Sequence, residues 1–381
     1  MIENAFSYWE QSSFLNHYDV IIIGSGIVGL NAALQLKTQS PRLKIAILER
    51  GMLPSGASTK NAGFACFGSV SELLSDIKSY GEETVFNLVT KRIKGLATLR
   101  KNLGDSAICF EQKGGYELFL KNDLQQMETA FLGLSHLNYI FKPLFSGADI
   151  FAVNNAKIAD FGFDGVKGLI ENKFEGQIDT GKMMLALIQK AQSLGVLIFN
   201  QTQVLSFEED KLITIKTKEA TFTTHKIVFA TNAFTAQLLP EIDIKPGRGQ
   251  VLVTEPIKGL KVKGTFHYDE GYYYFRDVDD RILLGGGRNI DFKAEETFDL
   301  NTSEEIQKKL EEMLYQIILP NNKMKIDYRW SGIMGFGEPL EPIVKKIRKG
   351  LFVAARCNGM GVALGSLTGM EVADLVLVDL N

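Results

Sequence analysis

Residues 18–50 constrain the fold more than any other stretch, because they read as one complete strand–helix–strand unit. A short apolar run from Tyr18 to Ile23 has the length of a buried strand. Gly24, Ser25, Gly26, Ile27, Val28 and Gly29 then spell G-x-G-x-x-G. Leu30, Ala32, Ala33, Leu34 and Leu36 follow at helical spacing, Ser40 and Pro41 break the helix, and residues 44–48 form a second strand closed by Glu49. Each part has a mechanical reason. Gly24 permits the tight turn, Gly26 removes a side chain where a pyrophosphate approaches the backbone, and Gly29 lets the helix pack closely on the sheet. The helix N-terminus offers unpaired N–H groups and a partial positive charge. Glu49 is placed to accept hydrogen bonds from a ribose, and its charge disfavours a 2′-phosphate. A glycine-rich turn of an ordinary parallel sheet shares parts of this pattern, and the stretch alone does not separate FAD from NAD.

A chain of 381 residues suggests two domains. A net charge of −3 gives no reason to expect a nucleic-acid partner. Cys66, Cys109 and Cys357 are far apart, with neither metal spacing nor a disulfide framework, so a reducing, cytoplasmic setting is expected. The four histidines, His17, His136, His225 and His267, form no metal-spaced pair, so no metal site is expected. No run of eighteen uninterrupted apolar residues suggests membrane insertion, and the N-terminus does not read as a signal peptide. Trp9, Phe14 and Leu15 are expected to pack a short N-terminal helix on the body.

Residues 55–69, SGASTKNAGFACFGS, are dense in small and polar groups that can wrap a cofactor, with Asn61, Ala62 and Gly63 able to approach a flat ring. Cys66 reads as a packed small residue. Residues 86–175 leave the strand–helix–strand rhythm, with a strand pair expected over 110–120, and open a second, mostly antiparallel domain. The first domain resumes near Ile178, with a small meander over 202–224 and a buried strand over 226–230 closing on Thr231 and Asn232. Val204 is in position to meet an adenine edge through its backbone. An aromatic strand, GYYYFR (271–276), turns into a second strand and then Gly285, Gly286, Gly287 and Arg288. Residues 327–331 read as a strand and 332–339 as a loop. Cys357, Asn358, Gly359, Met360 and Gly361 turn into a helix beginning at Val362, a second free helix N-terminus.

Taken together, these residues resemble the D-amino-acid-oxidase-like FAD oxidoreductases, including the glycine oxidase, sarcosine oxidase and γ-glutamylputrescine oxidoreductase types. The resemblance spans nearly the whole chain, anchored by GSGIVG (24–29), Glu49-Arg50, GASTKNAG (56–63), ATNAF (230–234), GRGQV (247–251) and RCNGMGVALGSLTG (356–369). It implies a Rossmann-like, GR2-type FAD-binding domain (1–85, 176–246 and 326–381) beside a mostly antiparallel-sheet substrate domain (86–175 and 247–325), an α/β plus α+β class. It further implies FAD over NAD, with Ser58, Thr59, Asn61 and Ala62 along the pyrophosphate and flavin, Val204 at adenine, and Gly332 and residues 359–362 at the ring. No cysteine follows the 327–331 strand where some members attach their flavin, so FAD is expected to be non-covalent. Met360 stands where many amine-oxidising members carry histidine.

The implied activity is oxidation of a small amine or amino acid by hydride transfer to flavin N5, with oxygen or another electron acceptor. Tyr273, Arg276, Arg288 and Met360 are the candidate catalytic residues, with Tyr272 and Tyr274 alongside; an arginine can clamp a carboxylate in two parallel hydrogen bonds. Oxidation of a 2-hydroxy acid or polyol, or a non-catalytic flavin-binding redox sensor, are the competing expectations.

Overall fold

A computed structural model describes residues 6–320, 322 and 324–380. The apolar run Tyr18–Ile23 lies at the centre of the first sheet, which pairs it in parallel with Ile45–Leu48 on one side and Thr221–Phe229 on the other. Leu197–Phe199 and Leu351–Ala355 extend the sheet in parallel on the two flanks. Strands buried on both faces need continuous apolar sequence, and Ile21, Ile22, Ile47, Val228 and Phe352 are fully buried.

Three helices cross on one face of this sheet at unusually close range. A Cβ on Gly369, in the C-terminal helix Gly361–Leu380, would sit 2.4 Å from the Val28 carbonyl oxygen of the helix Ile27–Gln39. A Cβ on Gly95, in the helix Glu82–Leu103, would sit 2.1 Å from Ala363 O. Small residues therefore let the backbones approach and bring two helix N-termini, at Ile27 and Gly361, to one edge of the sheet. The C-terminal helix is long and apolar enough to cross a membrane by length and composition, yet over half of its most apolar window is buried within the protein. It is a core helix.

The second sheet runs in the order Ile326–Phe336, Lys245–Thr254, Arg281–Gly286, Tyr273–Val278, Thr265–Tyr268, Gly115–Leu120, Val166–Asn172 and Phe151–Val153. Its pairs are antiparallel except Thr265–Tyr268 with Gly115–Leu120. A two-stranded ladder, Phe64–Ala65 with Gly176–Gln177, joins the two halves of the molecule.

Several expectations are corrected here. The helix Glu82–Leu103 is continuous and packs on the C-terminal helix, so a domain boundary at 85/86 would cut an element of the first domain. Residues 326–336 are one strand hydrogen-bonded to Lys245–Thr254, so they belong to the substrate-side sheet, and 332–336 is not loop. The strand expected over 226–230 is the inner half of Thr221–Phe229, whose outer half carries the meander. Within 110–114 only Glu111 forms a bridge, to Gln177, so 110–120 is not a strand pair. The helix Tyr8–Ser13 exists, closed by a Ser7–Glu10 capping box, but Trp9 is 72% exposed and Phe14 49%; Leu15 alone of the three packs inward.

Candidate active site

A cavity of about 650 Å³ runs along the C-terminal edge of the parallel sheet and under the second sheet. One end is lined by Glu49, Arg50, Thr202, Gln203 and Val204, the middle by Gly24, Gly26, Ser58, Asn61, Thr231 and Asn232, and the far end by Met360, Tyr272, Tyr274 and Arg288.

Glu49 is buried at the end of the second strand. Its Oε2 accepts from the Ser25 hydroxyl (2.7 Å) and the Ser25 N–H (3.1 Å), and its Oε1 accepts from the Gly51 N–H (2.9 Å). A carboxylate offers about two acceptor positions per oxygen, so Oε1 retains one, facing the cavity where a ribose hydroxyl would bind. Arg50 lies with its guanidinium carbon 3.6 Å from the centre of the Phe234 ring, held there by a cation–π contact.

At the turn, a Cβ on Gly26 would come 2.8 Å from Ser58 Oγ, and that hydroxyl accepts from the Ile27 N–H at 2.9 Å. A Cβ on Gly29 would stand 2.0 Å from Gly24 O, so only glycine permits this helix-to-strand approach. Asn61 builds the next loop. Its amide donates to Ala57 O and Ser58 O, and its Oδ1 accepts from the Gly63 N–H and the Thr180 hydroxyl. At the other helix start, Asn358 (φ +46°) bonds Gly337 and Leu340 through its side chain, while Gly359 (φ +83°) and Gly361 have nothing within 4 Å of a would-be Cβ. Cys357 lines the cavity as a buried thiol that burial pushes up to about 12.

These features fit a long dinucleotide carrying a flat ring system. An acceptor is left free at one end, two helix N-termini meet in the middle, and glycines leave open space at the other end. A family model described as FAD dependent oxidoreductase matches residues 19–375. The chain belongs to that family. It is an FAD-dependent oxidoreductase. Among relatives, the probable oxidoreductase OrdL of Haemophilus influenzae is 24% identical over 385 residues, covering 96% of this chain and 84% of that protein. Glycine oxidase of Geobacillus kaustophilus is 26% identical over 381 residues, covering 95% of this chain and 93% of that protein. The solved L-proline dehydrogenase from P. horikoshii superposes with a TM-score of 0.74 at 19% identity, covering 95% and 93% of the two chains.

In this oxidoreductase the aromatic strand alternates as a strand must. Tyr272 and Tyr274 face the cavity, while Tyr273 is buried in the core behind the sheet. Tyr273 is therefore corrected from a substrate residue to a core residue. Tyr274 has room because its cross-strand partner is Gly285, whose Cβ would lie 2.6 Å from the ring. Gly286 is equally constrained, at φ +120° with a would-be Cβ 2.0 Å from Tyr272 O. The glycine run thus accommodates its own neighbouring strand.

Arg276 is likewise corrected. It does not line the cavity; it is buried behind it and donates to the carbonyls of Ala62, Gly63 and Ile178. Thr59 is exposed, and its hydroxyl donates to Pro54 O and Gly56 O. Ser25 and Gly29 act one layer behind the cavity surface, as described above. Arg248 is held bidentately by buried Glu295 (2.9 and 2.6 Å) and Arg329 by Gln307 and Glu311, so both are structural.

Arg288 is different. It lines the cavity with its guanidinium carbon 4.0 Å from the Phe336 ring centre and 4.9 Å from that of Phe292. Among the described residues it makes no hydrogen bond and no ion pair. Burial depresses its pKa, with Tyr272 and Glu295 acting the other way. Sequence reasoning missed Lys60, Glu72, His267, Glu270, Met334 and Phe336, which also line the cavity. Lys60 lies inside the GASTKNAG run, and Met334 and Phe336 share the strand Ile326–Phe336, while the others stand in no local motif.

Proposed function

We propose that this chain oxidises a small amino acid, or an amine carrying an acidic group, at the carbon beside nitrogen. The observation that carries this reading is Arg288, a cavity-facing guanidinium held between two phenylalanine rings and left without an anionic partner among the described residues. A substrate carboxylate would complete it with two parallel, charge-assisted hydrogen bonds. Bound FAD would accept the hydride and hold the two electrons until an acceptor such as oxygen removes them. The protein's part is position and dryness. Tyr274 and Phe64, whose rings meet edge-on at 5.7 Å, wall the site away from water. Glu270 and Glu72, the latter already paired with Arg92 at 3.2 Å, line the same cavity and would face the substrate's nitrogen end. The names glycine oxidase and L-proline dehydrogenase borne by two similar proteins agree with an amino-acid substrate.

The test is anaerobic mixing of the FAD-loaded protein with panels of amino acids, amines and 2-hydroxy acids, following loss of flavin absorbance. Bleaching by an amino acid or acidic amine supports the proposal. Bleaching only by hydroxy acids moves the activity to that class, and no bleaching by any panel member overturns it.

A further inference from the structure

Cys66, Glu175 and His267 are each at least 92 residues apart in sequence, yet their ligand atoms all lie within 4.8 Å of one another and all three residues are buried. The backbone explains the meeting. In the ladder Phe64–Ala65 with Gly176–Gln177, Ala65 pairs with Gly176, which sets Cys66 beside Glu175. His267 comes from the strand Thr265–Tyr268, whose register with Gly115–Leu120 directs it to the same point.

The three residues bring sulfur, oxygen and nitrogen donors to one buried point. His267 Nε2 is buried and has no hydrogen-bond partner among the described residues; Glu175 Oε2, 3.6 Å away, is its ion-pair neighbour when the ring is protonated. The other carboxylate oxygen of Glu175 accepts from the Phe67 N–H at 2.8 Å, which holds the group so that Oε2 faces the cluster. Cys66 is a free thiol. A buried nitrogen without a partner is destabilising, and a bound ion would relieve it. Zinc-class ions take S, N and O ligands at about 2.0–2.3 Å, which sets neighbouring donor atoms roughly 3.3–3.8 Å apart, a contraction of at most about 1.5 Å from the 4.8 Å limit here. A thiolate and a carboxylate with neutral imidazole also cancel the charge of a divalent ion, as a buried site requires.

We propose that Cys66, Glu175 and His267 form a binding site for a zinc-class divalent ion. Thiolate and imidazole together select such an ion over magnesium or calcium. Cys66 and His267 both line the cavity, so a fourth coordination position opens onto it, available to water or a small donor.

The experiment uses the FAD-loaded protein after chelator treatment and dialysis, titrated calorimetrically with Zn²⁺. One equivalent is expected, and zinc X-ray absorption should show one sulfur neighbour at about 2.3 Å. Cys66→Ser should weaken binding at least tenfold and remove the sulfur neighbour. Glu175→Gln, which keeps the acceptor for Phe67, should also weaken it, and Cys109→Ser should leave it unchanged. FAD content and melting temperature establish that each variant is folded. Failure to bind one equivalent, a spectrum with only nitrogen and oxygen neighbours, or affinity unchanged in both folded site variants overturns the proposal.

Discussion

Arg276 Nη1 stands 3.0 Å from the carbonyl oxygen of Gly63, tying the middle of the substrate-side sheet to the loop that lines the cofactor cavity. The same nitrogen also reaches Ile178 O at 2.7 Å and Ala62 O at 3.2 Å, so one buried cation gathers three carbonyls from two separate stretches of the chain. Hydrogen bonds to a charged group contribute about 1.5–3 kcal/mol each, and these three share one nitrogen. Arg276→Ala should therefore destabilise the protein by about 3 kcal/mol and release FAD. Chemical denaturation and flavin retention on gel filtration check this; a variant that keeps both would show that the carbonyls find other donors.

Glu49 accepts hydrogen bonds from Ser25 and Gly51, and its remaining acceptor position would take the ribose end of a bound cofactor. Glu49→Gln keeps the shape but turns an amide N–H₂ toward donors. Loss of one charge-assisted bond of about 1.5–3 kcal/mol predicts FAD affinity weaker by about 10- to 100-fold, read by fluorescence titration of the apoprotein.

Two glycines of the C-terminal helix make a matched pair. Gly369→Ala would press a methyl onto Val28 O at 2.4 Å and Ala32 N at 2.8 Å, both backbone, whereas Gly361→Ala meets nothing within 4 Å. Overpacking against backbone is destabilising by about 1–3 kcal/mol. The first variant should lose that stability even without FAD. The second should leave the apoprotein's melting unchanged and weaken only FAD binding, because its methyl enters the cavity.

Arg288→Lys should raise KM for a carboxylate-bearing substrate at least tenfold while FAD content stays normal, since lysine cannot reproduce the planar fork. Steady-state kinetics with the substrate found in the panel, compared with its decarboxylated analogue, reads this out. An equal effect on both compounds would place Arg288 outside carboxylate recognition.

Asp76 supplies the pH prediction. Burial, then the charge of Glu72, raises its pKa to about 6 from an ordinary 3.8, with Arg92 opposing and Glu270 adding to the rise. Between those two values the folded state binds more protons than the unfolded state, so this contribution to stability is full below the unfolded value and is lost as pH rises through about 6. Asp76→Asn should thus stabilise the protein by about 1 kcal/mol at pH 8, allowing for partial exposure, and do nothing near pH 4. Melting curves across that range test the sign.

Much of the cofactor half was legible because its signals are local. A strand, a glycine turn and a helix are neighbours in sequence, so the roles of Gly24, Gly26 and Glu49 follow from spacing and sterics alone. The family resemblance extended this to the Asn61–Gly63 and Asn358–Gly361 turns by matching motifs of the same local kind. Substrate-side residues were read less well, because a strand pattern tells that Tyr272, Tyr273 and Tyr274 alternate but not which face meets the cavity. Arg276 shows the same limit: a charged residue in an apolar strand looks like a ligand group until its three carbonyl partners, far away in the chain, are seen.

The amino-acid sequence by itself determined the nucleotide-binding unit, the two-sheet class and the use of FAD, since each rests on short-range geometry or on motifs that carry it. Only the tertiary structure decided that Arg288 lines the cavity without a hydrogen bond or ion pair among the described residues, that the strand Ile326–Phe336 joins the second sheet, and that Cys66, Glu175 and His267 share one buried point. Those outcomes depend on register between strands distant in the chain, and a shift of one residue would turn each side chain to the opposite face.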